Sequence, residues 1–304
     1  MYRHENGRTY HAYRDGEYWQ PNDEKQNNHE AIVHHLCIMT LRDKLFLAPV
    51  THPKRILDIG TGTGIWATDI ADKFFDAEVI GTDLSPVQPG MQPDNCRFEI
   101  DDCMSEWVYP EDHFDFIHIR GLFGSIGDWP QLYQRCYEHM EPGGWLEQVE
   151  WSIQNRSADA SLSPDSTLAK WSRYGIECGR RINKTFEIAE NMAGLIGEAG
   201  FVDVVEKRFK WPIGPWSSDP RLKEIGRWNL LNWEEGMEGW WSVDEVQAWL
   251  QEIRKALRDR KKHVYHEVRL VYARKPFDHE VSTPAETNGK HEAGNGSAAS
   301  PASN

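Results

Sequence analysis

The sequence predicts an α/β fold with a doubly wound parallel sheet, and three observations carry that expectation. From Arg55 onward, short apolar runs alternate with segments of helical length, the pattern of strand–helix units that lie parallel in one sheet. The first apolar run ends in a glycine-rich turn, Asp58-Ile59-Gly60-Thr61-Gly62-Thr63-Gly64, directly ahead of a helix. The 304 residues are 39% hydrophobic and 12% aromatic, which supports a sizeable core and excludes global disorder.

The elements follow in order. Residues 1–22 are aromatic and polar (Tyr2, Tyr10, Tyr13, Tyr18, Trp19) and end in Gln20-Pro21-Asn22. A helix starts after Asp23, which caps it, with Gln26 at the capping-box position. Ile32, Leu36 and Met39 give it an apolar stripe, and Pro49 stops the run. Residues 1–50 thus read as an N-terminal lid and helix. Strands are expected at 55–60, 78–83, 96–101, 114–120 and 145–151. Helices at 64–74 and 130–140 and a turn region over Pro86–Asp94 separate them. After Trp151 the alternation stops. Helical stretches at about 164–182 and 187–199 lead to a strand at 201–210, a helical insert within about 215–262, and a last strand at 266–276. One domain therefore spans 51–276. Val281–Asn304 hold one valine and no aromatic residue, too little apolar surface to offset the entropy of ordering. Residues 277–304 read as a disordered tail, so the acidity belongs to the folded part.

That acidity, 34 Lys+Arg against 48 Asp+Glu and a net charge of −14, argues against non-specific binding to nucleic acid or an anionic membrane. No apolar run approaches the roughly 20 residues of a membrane span, and the start MYRHENGRTY lacks the apolar core of a secretory signal. The five cysteines (37, 96, 103, 136, 178) form no C-x-x-C pair, which fits a reduced intracellular protein without structural zinc. The expected place is the cytoplasm, with the nucleus open.

Candidate site residues cluster at strand ends. The glycine turn departs from the G-x-G-x-x-G spacing that seats a pyrophosphate: every second residue is glycine and an acid, Asp58, stands ahead of it. It suits a ligand with no phosphate, or is an ordinary strand-to-helix turn. Asp83 closes the second strand 25 residues after Asp58, the range in which an acid reaches ribose hydroxyls; otherwise it is a helix cap before Pro86. The third strand ends in Asp101-Asp102-Cys103, where Asp102 either accepts from an adenine amine or is a solvated turn acid. The three features fall at successive strand C-termini, where open α/β sheets bind ligands.

ILDIGTGTG (56–64), VIGTDLSP (79–86), Asp101-Asp102, FDFIHIRGLFGSIGDW (114–129) and EPGGWLEQVE (141–150) resemble the class I S-adenosylmethionine (SAM)-dependent methyltransferases. More narrowly the chain looks like the fungal LaeA-like methyltransferases of secondary metabolism, with YWQPNDEKQNNHEAIVHHL (18–36) similar to that family's segment before the glycine loop. The resemblance covers most of 10–276. It implies a Rossmann-like, seven-stranded, doubly wound sheet under an N-terminal helical lid and a late helical insert. It also implies SAM as cofactor. Gly60, Thr61, Gly62 and Gly64, with Asp58 at the head of the loop, would approach the methionine part. Asp83 and Leu84 would hold the ribose, and Asp101, Asp102 and the Cys103 backbone would read the adenine. Arg120 would meet the methionine carboxylate or the reacting atoms. Where amino- and nucleobase-directed relatives carry Asn/Asp-Pro-Pro-Tyr, this chain has Arg120-Gly121-Leu122-Phe123, which argues against N-methylation of a base or amide and leaves oxygen acceptors open.

The expected activity is methyl transfer to a small-molecule acceptor, at oxygen, in fungal secondary metabolism. The other reading is a LaeA-like regulatory or protein methyltransferase in a nuclear protein complex, and a third is a related fold with altered chemistry. Tyr18, Trp19 and Trp151 are candidate substrate walls. Seven of the 14 tryptophans lie between Trp211 and Trp249, as a substrate roof or as a satellite core. His118 either faces the pocket or is a satisfied strand histidine. No spacing marks a metal site, Ser125 and the cysteines lack a nucleophile-elbow context, and no catalytic base is named. Arg180-Arg181 and the basic run 258–262 read as solvated helix ends, with an acidic substrate and a nuclear import signal as their respective alternatives.

Overall fold

Each apolar run from Arg55 becomes a strand in the computed structural model, which describes residues 3–5, 7–11, 13–14, 18–88, 90–157, 159–237 and 244–281. Two short strands, β1 (Arg3–Glu5) and β2 (Arg8–Tyr10), form an antiparallel hairpin ahead of helix α1 (Glu24–Thr40). Then come β3 (Arg55–Ile59), α2 (Ile65–Lys73), β4 (Glu78–Asp83), β5 (Cys96–Ile100), β6 (Phe114–Arg120), α3 (Trp129–His139) and β7 (Met140–Trp151). The C-terminal part adds β8 (Arg156–Ser157), α4 (Thr167–Arg181), α5 (Ile188–Glu198), β9 (Val202–Pro212), α6 (Pro220–Met237), α7 (Asp244–Leu257) and β10 (Val264–Arg274).

The main sheet runs β5-β4-β3-β6-β7-β10, with β9 along β10 and the two-residue β8 on the start of β10. The strands from β3 to β7 pair in parallel, and β10 is antiparallel to both β7 and β9. Seven long strands match the expectation; β8 is an eighth that is too short to leave a periodic signal. The chain leaves β3 toward one edge through β4 and β5, then crosses back to β6. That reversal opens a crevice above the carboxyl ends of β3 and β6, and it is where an open α/β sheet accepts a ligand.

Helices cover both faces because parallel strands must be buried on both sides. One face packs Leu57, Ile117 and Leu146 against Leu132 and Tyr133 of α3 and Met192 and Ile196 of α5. The other packs Ile56, Val79 and Phe116 against Trp66, Ala67 and Ile70 of α2. Beside α2, helix α1 buries Val33, Leu36 and Cys37 against Trp211, Ile225 of α6 and Leu270 of β10. The buried stripe of α1 is therefore displaced from the one expected: Ile32 and Met39 are only half-buried, while Gln26, His34 and Thr40 join the covered face. Asp23 caps α1 by accepting from the Gln26 N–H at 3.1 Å, but the Gln26 side chain turns to Gln20 instead of closing a capping box. The helix ends at Thr40, well before Pro49, because Arg42 and Asp43 turn left-handed (φ +58° and +62°).

The expected lid is thus a hairpin as well as a helix. At the other end Phe277, assigned to the tail from sequence, lies over Gly143, and Arg274 pairs with Glu280 at 2.7 Å. Residues 277–281 belong with the domain; 282–304 lie outside the described residues, as do Trp240 and Trp241 of the insert. Among the described residues no helix is long and apolar enough to cross a membrane.

Candidate active site

β3 delivers the chain into a loop in which Gly60, Gly62 and Gly64 all have positive φ (+67°, +56° and +77°). L-residues with a side chain rarely adopt that region. A Cβ at Gly60 would also lie 2.4 Å from Leu122 Cδ2, and one at Gly62 2.5 Å from Glu30 Oε2. Those contacts are to the ends of side chains that can shift, so it is the positive φ that requires glycine here. Asp58 braces the loop from below: its Oδ2 accepts from the Thr61 hydroxyl at 2.6 Å, and its Oδ1 meets His118 Nδ1 at 2.8 Å. His118 stacks on Trp66 with centroids 3.6 Å apart, and burial lowers its pKa. It is a core histidine, not a pocket group.

At the end of β4, Asp83 Oδ2 accepts from the Gly62 N–H and Oδ1 from the Ser85 N–H, both at 2.9 Å. Burial raises its pKa, and these two bonds oppose the rise. Each oxygen keeps a lone pair for a further donor. Beyond β5, Asp101 accepts from the Asp102 N–H at 2.8 Å, and Asp102 accepts from the Met104 N–H at 2.9 Å while pairing with Arg14 at 3.5 Å. The Cys103 carbonyl accepts from Trp107 and Arg135, both at 3.0 Å, and burial pushes the Cys103 thiol up to about 12. At the end of β6, Arg120 donates to His34 Nδ1 at 3.2 Å, and His34 Nε2 reaches Asp69 at 3.0 Å. The arrangement that satisfies both bonds puts the imidazole proton on Nε2.

These groups meet in one open cavity of about 1330 Å³, mouth included. Asp58, Gly60, Thr61, Gly62, Asp83, Leu84, Asp101, Asp102, Cys103 and Arg120 all line it, as do Tyr18 and Trp151. Gly64 stands behind it as the N-cap of α2, against Phe98. Tyr18 bonds Gln20 through its hydroxyl, and burial lifts its pKa, helped by Glu30 and Asp83.

Trp19 lies elsewhere, tilted against Phe123 and Phe186 in the wall of a second, open chamber of about 670 Å³, mouth included. Phe123, Trp151, Ile153, Trp171 and Trp233 complete its apolar walls, and Gln20, His29 and Trp151 border both spaces. His29 Nδ1 and His266 Nε2 are buried there without a hydrogen-bond partner among the described residues. Burial lowers both imidazoles, His266 to about 3. Of the insert tryptophans, Trp233 borders this second space, and with Trp249 it packs against Trp171 of α4, Leu250 and Ile253 in a satellite core.

Sequence reasoning missed three residues. Glu30 reaches from α1 into the loop, where the Thr63 N–H donates to its Oε2 at 2.9 Å. Gln88 donates to the Gly62 carbonyl at 2.7 Å. Glu150, wholly buried in β7, accepts from the Leu122 and Phe123 N–H groups at 3.0 and 3.3 Å and so shapes the turn after β6. One signal was available for Glu30: it lies three residues before Val33 on the buried face of α1. Elsewhere, Arg180 and Arg181 pair with Glu187 and Glu177, and Arg258 pairs with Glu234, all near the surface. Among the described residues the five cysteines are unpaired and no group of three or more His, Cys, Asp or Glu gathers with metal-binding geometry.

Comparison with known proteins gives the same direction. The family described as a methyltransferase domain matches residues 31–206. The chain is 40% identical over 288 residues to methyltransferase pytC of Aspergillus terreus, covering 91% of this chain and 89% of that protein. It is 38% identical over 289 residues to secondary metabolism regulator LAE1 of Cochliobolus heterostrophus, covering 90% and 94%. With protein-methionine methyltransferase laeA of Emericella nidulans it shares 33% over 299 residues, covering 91% and 77%.

Proposed function

The chain belongs to the methyltransferase-domain family, and from that premise we propose how its cleft holds the methyl donor and which acceptor it serves. It is a SAM-dependent methyltransferase. The residues fit that donor: Gly60 and Gly62 present bare backbone to the cleft, and Asp83 has lone pairs free. Arg120 is the one guanidinium among the described lining residues, so nothing there is built for a polyphosphate. Gly60, Thr61, Gly62 and Gly64 would let backbone lie against the methionine part, with Asp58 bracing the loop. Asp83 and Leu84 would take the ribose, and Asp101, Asp102 and Cys103 would border the adenine. Arg120 would hold the methionine carboxylate.

When bound, the donor supplies a methyl group on a sulfonium, already activated for in-line displacement. The chain's own part is to align the partners and exclude water, effects worth about 7–11 kcal/mol in favourable cases. The acceptor is a neutral or hydrophobic small molecule, methylated at oxygen. One observation carries this: the aromatic chamber shares Gln20, His29 and Trp151 with the donor cleft. Apolar walls with a few aimed polar atoms are what small-molecule sites use. His29 Nδ1 has no partner at the junction among the described residues and is suited to hydrogen-bond a hydroxyl, which can donate or accept. Relatives named as secondary metabolism regulators support a setting in fungal secondary metabolism, and the proposed place of work is the cytoplasm or nucleus.

The test is methyl-labelled SAM with the full chain and two fractions of a fungal extract, small metabolites and macromolecules. Label should enter the small fraction with a mass gain of one methylene. Trp233→Leu should abolish that transfer while demethylated cofactor still binds. Label confined to protein would replace this reading with the protein-methyltransferase one, for which the Emericella nidulans relative is the precedent.

A further inference from the structure

Glu30 is a carboxylate that the donor assignment leaves without a purpose. It comes from α1, not from the strand ends, and its side chain is driven into the glycine loop. The Thr63 N–H donates to Oε2 at 2.9 Å, and the Thr63 hydroxyl bonds the same carboxylate. A Cβ at Gly62 would lie 2.5 Å from Glu30 Oε2, so the carboxylate sits directly against the loop. Burying a carboxylate in this way is costly unless a cation or strong donors compensate it. The cation that faces it is Arg120 at the end of β6, and the acid that faces it is Asp83 at the end of β4. Tyr18 approaches from the N-terminal segment, and the imidazoles of its own helix are His29, held by Asn232, His34, held by Asp69 and Arg120, and His35, packed against Trp228. Glu30, Asp58 and Asp83 thus border the cleft against one guanidinium, an excess of negative charge that a cationic ligand group would relieve.

We propose that Glu30 accepts the α-ammonium group of the donor's methionine end, so that Glu30 and Arg120 clamp the two charges of that amino-acid end, one each. This rests on the reading of the cleft as the donor site. It makes Glu30 a donor-binding residue and makes loading of the donor sensitive to pH. Burial raises the Glu30 carboxyl to about 7. An ammonium group binds the ionised form, so affinity for any ligand with that end falls as pH drops below about 7. The decline approaches tenfold per pH unit at most, about one proton per site. Ligands without the amino-acid end are spared.

The experiment is calorimetric titration of the full chain with S-adenosylhomocysteine and with 5′-methylthioadenosine, which keeps the nucleoside and sulfur but lacks the amino-acid end. Glu30→Gln preserves an oxygen for Thr63 and removes the charge. At pH 7.5 it should weaken S-adenosylhomocysteine roughly tenfold or more, the scale of a lost charge-assisted hydrogen bond, and leave 5′-methylthioadenosine within about twofold. Between pH 7.5 and 5.5 the wild-type chain should lose affinity for the first ligand and not the second, and the variant should lose the difference. Equal weakening of both ligands would make Glu30 a structural brace of the loop and overturn the proposal, as would no change in either. If the wild-type chain binds neither ligand, the donor reading of the cleft fails, and that outcome is distinct because it appears before any substitution.

Discussion

Asp83 joins two segments through one carboxylate. It holds the glycine loop through Gly62 and the following turn through Ser85, and it keeps lone pairs toward the cleft. Its removal therefore acts on loop geometry and on ligand contact together. Asp102 differs: its oxygens are engaged by Met104 and by the half-exposed Arg14, so its replacement opens a turn but leaves the loop intact. The melting temperature of the full chain should rise on saturation with S-adenosylhomocysteine, by linkage. Asp83→Ala should abolish most of that rise, whereas Asp102→Ala should keep a substantial part of it. Equal effects would mean that the ribose end is not the principal anchor. The spacing of 25 residues pointed to Asp83 from sequence. Glu30 escaped notice because its partner, Thr63, is 33 residues away and on a different element.

Strand β7 shows where an element can be legible and its chemistry not. Trp145 to Trp151 read as a strand, and β7 runs to Trp151 beside β6 and β10. Yet Glu147, Gln148 and Glu150 within it are wholly buried, which polarity alone would never suggest. Each is held by a group from another part of the chain. Glu147 accepts from the Leu47 and Ala48 N–H groups at 2.7 and 2.6 Å, Gln148 from the Tyr133 hydroxyl at 2.6 Å, and Glu150 from the turn after β6. Burial lifts Glu147 to about 8 and Glu150 to about 7. A carboxyl raised in the folded state binds its proton there more tightly than in the unfolded chain. The stability it lends is complete below its ordinary range near pH 4.5, and it is lost as pH climbs toward about 8. Below the ordinary histidine range the lowered imidazoles of His29, His118 and His266 oppose that loss, so urea unfolding should show the chain losing stability between about pH 6.5 and pH 8. Glu147→Gln should remove part of that slope, by at most about 1.4 kcal/mol per pH unit. A difference between variant and wild type that is the same at both pH values would contradict a buried, protonated Glu147.

For the whole molecule, the alternation from Arg55 and the glycine turn were enough to place the sheet, because parallel strands are buried on both faces and leave apolar runs between helices. The strands of the hairpin at Arg3–Tyr10 are three residues each, too short for a period to show, and the two-residue β8 and the second chamber depend on contacts between distant segments. The same distinction governs how a ligand should be felt across the molecule. The cleft proposed for the donor draws on the segment around Tyr18, α1, the glycine loop and the ends of β4, β5 and β6, whereas α4 and α7 pack in a satellite core with Trp249 and Leu257. Bound ligand stabilises what it touches, and regions that open independently keep their own local free energy. Hydrogen exchange with saturating S-adenosylhomocysteine should therefore slow over 18–34, 60–65, 82–88 and 101–105, while 167–181 and 248–257 exchange as before. Residues 225–236 of α6, which wall the chamber and not the cleft, should respond only when an acceptor is added as well. Protection spread evenly over the chain would mean that cleft and insert open as one unit. Protection confined to the insert would place the donor in the aromatic chamber and reverse the roles assigned to the two cavities.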